Sequence, residues 1–187
     1  GQNVRMHRLA LLVIVPFVLV ACGSDSDPSA GSAGVSASPV DGEPSGTKTY
    51  IDLARNHVDT PVDYPQTPPV GGPHSQAWQD CQYYDTSIPN ERGVHSLEHG
   101  AVWITYSPDT SEADRQVLGD LAATGDHILV SQFEGLPSPV VATAWGKQLV
   151  LQSVTDPELQ QFVDVFQSGP QTPEPGVTCR NSTTETT

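Results

Sequence analysis

The rhythm of apolar and polar positions changes several times along this chain. From Ala101 it sharpens: Ala-Val-Trp-Ile-Thr-Tyr is a compact β-branched and aromatic run closed by Ser107-Pro108-Asp109-Thr110, which predicts a strand. Ser111, Glu112 and Asp114 then open a stretch with Val117, Leu118, Leu121 and Ala122 at helical spacing, stopped by Gly125. His127–Phe133 predicts a second strand, Gly135–Pro139 a turn, and Val140–Val154 two strands around a tight turn at Gly146-Lys147. Asp156 as N-cap, Pro157 at the first helical position and Gly169 as stop frame a closing helix. The order implies a small α+β or α/β layer protein: one mixed sheet of about four strands with two helices. Its one crossover, Ala101 to Gln132, implies a locally parallel pair with the helix packed on one face.

Upstream the pattern is different. Residues 50–92 carry Pro, Gly, Asp and Gln without useful periodicity, centred on Tyr-Pro-Gln-Thr-Pro-Pro-Val-Gly-Gly-Pro-His. Tyr64, Trp78, Tyr83, Tyr84 and Cys81 are costly to leave in water, so this segment is expected to be an ordered loop wrapped over the core. Residues 23–49 are dominated by Ser, Gly, Ala, Pro and Asp; they bury too little to offset ordering entropy and read as a disordered tether. The tail, Arg180–Thr187, is polar and expected to fray. That leaves one domain, residues 50–179.

At the N-terminus, Arg5, His7 and Arg8 precede the apolar run Leu9–Leu19, which Pro16 interrupts. The run is short of the roughly 20 residues a spanning helix needs and reads as a secretory signal over residues 1–21. Gly1 to Val4, ahead of Met6, add nothing to that signal and read as readthrough or a misassigned start. Leu19-Val20-Ala21-Cys22-Gly23 resembles the lipobox of bacterial lipoproteins. The resemblance implies cleavage before Cys22, lipid on that residue and a membrane anchor on the extracytoplasmic face.

Losing Arg5 and Arg8 with the signal leaves six basic against 22 acidic residues, a net charge of −16. Such a surface repels nucleic acid and anionic lipid, so no nucleic-acid partner is expected. Cys81 and Cys179 are then the cysteines left in an oxidising compartment and read as a structural disulfide. Closing a loop of roughly a hundred residues is worth about 4–5 kcal/mol in the chain-entropy treatment. Two separate thiols, one a soft metal ligand, are the alternative. Without a Cys-x-x-Cys pair a disulfide oxidoreductase is not indicated.

The candidate chemistry is in the histidines. His57, His74, His95 and His99 all fall in the loop-rich half or at its junction with the first strand, and His127 reads as a turn residue. His95 and His99, four apart, would share one side of a helical turn, and Gly100 would let the chain leave it. His74, on a stiff Gly-Gly-Pro-His loop, could close over them. Three neutral imidazoles suit zinc or Cu(II), with Glu98 or His57 in support. His-Ser-Leu-Glu-His also has the form of an inverted zinc-protease motif. That motif needs a continuous helix, whereas Gly93 and Gly100 are expected to leave barely a turn, and no glutamate on a second helix offers itself as third ligand. A purely structural alternative ties His95 and His99 to backbone and pairs Glu98 with Arg92.

Together, "VDYPQTPPVGGPH", "HSLEHGAVWITY", "VVATAWG" and "PEPGVTC" resemble the bacterial family called domain of unknown function 3105, over Tyr64–Cys179. The resemblance implies one domain type, often behind a signal or anchor, and brings no activity; His74, His95, Glu98 and His99 carry over as candidates. The reading that follows is a monomeric, membrane-anchored lipoprotein whose histidine cluster binds copper or zinc for trafficking or sequestration, not catalysis. An open coordination position keeps a metal-dependent hydrolase or oxidase in view. The competing reading is an envelope module that binds a protein partner and uses its histidines structurally.

Overall fold

A computed structural model of the protein describes Gly1 and residues 39–187; the signal-like segment, Cys22 and most of the expected tether lie outside those residues. In chain order the elements are β1 (Lys48–Thr49), α1 (Asn90–Glu98), β2 (Val102–Tyr106), α2 (Glu112–Ala122), β3 (Ile128–Gln132), β4 (Val140–Ala144), β5 (Lys147–Leu151) and α3 (Pro157–Phe166). The strands form one mixed sheet in the order β1-β5-β4-β2-β3. β2 and β3 run parallel, Val102 opposite Ile128 and Tyr106 opposite Gln132, with α2 as the expected crossover. The other pairings are antiparallel. Among the described residues the architecture is α+β with five strands and three helices, one strand and one helix more than the periodicity indicated. Among the described residues no helix is long and apolar enough to cross a membrane.

Both faces of the sheet are covered, which is why β2 and β4 read as continuous runs and are buried at every position. Val102, Ile104 and Tyr106 point to one face with Leu118 of α2 and Leu159, Phe162 and Phe166 of α3. Trp103 points to the other, against Val94 and Leu97 of α1, Trp145 and both described cysteines. Burying each such large side chain stabilises the fold by roughly 1.5–3 kcal/mol. Ser111 caps α2 by accepting the Asp114 amide, and Asp156 caps α3 with Pro157 behind it, as their positions in the sequence predict.

α1 departs from expectation. Gly93 does not delimit a single turn; it lies inside a nine-residue helix that begins at Asn90. A Cβ at Gly93 would fall 2.7 Å from Trp103 Cζ3, so the missing side chain is what lets α1 seat on the sheet. That packing outweighs the roughly 1 kcal/mol by which glycine disfavours a helix. Gly100, at φ +97°, then turns the chain into β2.

Three boundaries also move. Residues 39–49, assigned to a disordered tether, are partly built in: Val40 packs on the core and β1 pairs with β5. The hairpin turn lies at Trp145-Gly146, one residue earlier than expected, because Gly146 takes the positive φ (+67°). Lys147 therefore enters β5 fully buried, and its ammonium reaches Glu43 Oε2 and Thr49 Oγ1, each at 2.9 Å. A buried charge needs such partners, and these hold the N-terminal strap against the sheet edge. The tail is pinned, not frayed: Asp80 donates its amide to the Thr183 carbonyl (2.9 Å), and Arg92 pairs with Glu185 (2.8 Å). Cys81 and Cys179 are disulfide-bonded, Cα to Cα 5.4 Å, across 98 positions.

Candidate metal centre

Three separate stretches of chain deliver the candidate ligands to the face of the sheet covered by α1. Gly71 and Gly72, at φ +144° and +116°, take a path closed to other residues and bring His74 inward. Backbone bonds in both directions, Val58 N–H to His74 O (2.7 Å) and His74 N–H to Asn56 O (3.1 Å), lay His57 alongside it. α1 supplies His95 and Glu98, three apart on one helix face.

The result is a near-equilateral triangle of imidazoles. Ring centroids of His57, His74 and His95 lie 4.9, 5.0 and 4.9 Å apart. One ligand atom from each of these rings and one from Glu98 all lie within 4.8 Å of one another. His74, His95 and Glu98 are buried, and His57 is exposed. Donors about 2.1 Å from one tetrahedral ion lie about 3.4 Å apart, so the set closes on an ion with side-chain shifts of up to roughly 0.8 Å. Trp145 meets the His74 ring edge-on at 5.9 Å, and Trp78 lies against His95 at 5.7 Å. Val58 and Ser75, which follow His57 and His74 in the chain, line a cleft of about 340 Å³ with Asp59 and Arg92.

Hydrogen bonds fix the tautomers. His74 Nδ1 faces the Gly72 carbonyl at 2.8 Å, His95 Nδ1 the Ser75 carbonyl at 2.7 Å, and His99 Nδ1 the Thr178 carbonyl at 2.9 Å. A carbonyl only accepts, so each Nδ1 carries a proton, and each ring when neutral presents its Nε2 lone pair. Those lone pairs meet other acceptors. His74 Nε2 lies 2.8 Å from Glu98 Oε2 without hydrogen-bond alignment, and His95 Nε2 lies 3.0 Å from His99 Nε2. Acceptors packed together without a donor repel, and a shared proton or a cation relieves them. Burial works against the proton: it pushes His95 down to about 4, opposed by the Ser75 bond and reinforced by His99 and His74, and it lowers His99 too. Burial pushes the Glu98 carboxyl up, but a proton shared from His74 Nε2, with charge on the surrounding imidazoles, outweighs burial and lowers it, which is the shared-proton form of this contact. Backbone-pinned Nδ1–H groups behind converging Nε2 atoms are also the usual second layer of a histidine metal site.

Set against the sequence, the structure brings His74, His95, Glu98 and His57 together. His57 is a full member of the cluster, not merely a support. His99 falls outside the converging four, at hydrogen-bond distance from His95 alone among them, and the same Nε2 also faces Glu174 Oε2 at 3.6 Å. Glu98 does not pair with Arg92, which goes to Glu185. The objection to the protease motif based on helix length fails, since α1 is long enough, but Glu98 is engaged beside His74 and is not free as a general base. His127 bonds the Val177 carbonyl through Nε2 (2.9 Å). Nothing in the residue pattern signals the carbonyls of Gly72, Ser75 and Thr178, and Trp78 is legible there only as an aromatic needing cover.

No curated relative and no solved structure matches the chain. The family model described as protein of unknown function (DUF3105) matches residues 57–181, from His57 past Cys179. That span covers more than half of the chain and every residue of the cluster, and the chain belongs to this family.

Proposed function

We propose that the protein binds one divalent transition-metal ion, Zn(II) or Cu(II), through His57, His74, His95 and Glu98, and that it carries or sequesters that ion. The observation that supports this most is the meeting of buried acceptors without a donor between them. Three imidazoles and a carboxylate are nitrogen and oxygen donors of the borderline kind that suit Zn(II) and Cu(II). Cu(I) favours thiolate and thioether, and the described cysteines are bonded to each other. Four protein donors fill a tetrahedral shell, which favours holding an ion over activating a water on it. The lipobox-like Cys22 would place this activity at the outer face of a membrane, with the acidic surface concentrating cations nearby.

The test is calorimetric titration of metal-free protein, residues 39–187, with Zn(II) and with Cu(II), beside a His74→Ala/His95→Ala double variant. The expected result is one ion per chain in the parent and none in the variant, whose fold is checked by circular dichroism. Absence of binding tighter than roughly 10 μM, about −7 kcal/mol, in the parent would sink the proposal.

A further inference from the structure

His99 is buried, yet the four-donor cluster does not use it. Its Nδ1–H is fixed on the Thr178 carbonyl, so its Nε2 lone pair is aimed at the pair formed by His95 Nε2, 3.0 Å away, and Glu174 Oε2, 3.6 Å away. Glu174 is the half-exposed end of this series, and its own amide donates to the Glu98 carbonyl at 3.1 Å, tying the loop that carries it to the helix that carries the ligands. The Trp78 ring lies 4.7 Å from that of His99 and 5.7 Å from that of His95, covering both. Donor atoms thus continue outward from the cluster in single steps: His95, His99, Glu174, solvent.

We propose that His99 and Glu174 form a transfer route, along which the ion held by the inner four leaves by ligand exchange to an acceptor offering imidazole or carboxylate groups of its own. This rests on the metal reading above. The geometry permits the first step directly. An ion about 2.1 Å from both His95 Nε2 and His99 Nε2 needs an N–metal–N angle of about 90° at the present separation, within the range of cis ligands on a five- or six-coordinate ion. The His99–metal bond forms as the bonds to His57, His74 and Glu98 break in turn, with His95 still bound; Glu174 then replaces His95, and the acceptor's own groups replace His99 and Glu174. No proton or electron is transferred. An ion leaving straight into water would instead shed several nitrogen ligands before gaining any, and this barrier is what His99 removes.

The experiment compares parent, His99→Gln and Glu174→Gln proteins loaded with Zn(II). Affinity and stoichiometry are measured by calorimetry, and loading and release rates by stopped-flow mixing with a chromophoric carboxylate chelator. The expected result for His99→Gln is unchanged stoichiometry, a Kd within about threefold of the parent, and loading and release slowed together by tenfold or more. Glu174→Gln, a surface change that leaves the core intact, is expected to slow both about threefold. Equal slowing in both directions at constant Kd is the mark of a route, which a structural role would not produce. Release at the parent rate in both variants would overturn the route, with the ion leaving past His57. Loss of binding in a folded His99→Gln protein would also overturn it, making His99 a resident ligand. No binding by the parent would defeat the metal reading itself and the route with it.

Discussion

Glu98→Gln exchanges one carboxylate oxygen for an NH2 group at nearly constant shape, and its effects on the metal-free and metal-loaded protein are predicted to have opposite signs. In the metal-free protein Glu98 Oε2 lies 2.8 Å from His74 Nε2 with both side chains buried, and with His74 neutral the contact is acceptor against acceptor. The glutamine can donate to that lone pair. One buried hydrogen bond in place of a repulsion is worth about 1 kcal/mol net, which for a domain of this size raises Tm by roughly 2–4 °C. In the loaded protein the same change removes the one anionic ligand, and affinity is predicted to fall at least 100-fold, about 2.7 kcal/mol. Thermal unfolding by circular dichroism at pH 7.5 with a chelator present reads the first effect, and competition titration with Zn(II) reads the second. If His74 were instead an imidazolium paired with Glu98, breaking that buried pair would destabilise the metal-free protein by about 3–5 kcal/mol and lower Tm by roughly 10 °C. A drop of that kind would refute the reasoning, since a proton would then hold the place assigned to the metal.

Gly93→Ala places a Cβ within 2.7–3.0 Å of three Trp103 ring atoms, and an overpacking penalty of about 1–3 kcal/mol is predicted to exceed the roughly 1 kcal/mol gained in helix propensity; a urea midpoint at or above the parent's would count against it. His95 is held at about 4 against an ordinary 6.5, so between those values the unfolded chain binds more protons than the folded one. Stability of the metal-free protein is therefore highest above pH 6.5 and falls as pH drops toward 4, His99 acting in the same direction. Urea unfolding at pH 7.5 and pH 5 is expected to show this loss, and equal midpoints would contradict it. Replacing both Cys81 and Cys179 by Ser opens a loop across 98 positions; a loss of about 4–5 kcal/mol by denaturant unfolding is predicted, with weaker Zn(II) binding in calorimetry. Unchanged affinity there would separate the site from the bridge.

The elements whose signals are local were legible in the sequence. β2 announces itself by β-branched and aromatic density, and α2 and α3 by Ser111 and Asp156 at their N-caps, because these depend on neighbours a few positions away. α1 was not legible as a nine-residue helix. It has Pro89 and no side-chain cap at its start and a glycine in its interior, and it is held by a contact with Trp103 that no local rule contains. The same limit applies to the cluster. Spacing on α1 brings His95 and His99 to one side, yet which imidazole joins His74 is decided by loops that meet only in three dimensions. His57 enters because its strand segment bridges His74, and His99 turns to Thr178 near the disulfide instead. Lys147 shows tertiary context overriding turn chemistry: a residue that reads as part of a polar turn becomes the buried partner of Glu43, and with it the strap assigned to the tether becomes part of the domain.

The disulfide has a consequence for the order of events in the life of the chain. Its two arms run directly into the stretches that aim the imidazoles: Ser75 lies six positions before Cys81, and Thr178 immediately precedes Cys179. Until the two sulfurs join, the Thr178 carbonyl lacks the covalent anchor beside it and Ser75 is held through its amide on the Glu91 carbonyl (3.2 Å), so the rings that lean on them are expected to be less firmly aimed. On the metal reading, oxidation comes first and loading second. If residues 1–21 act as the secretory signal they resemble, a newly made chain with reduced cysteines would pass through a metal-buffered interior without competing strongly for its ions, and would become a competent binder where thiols are oxidised.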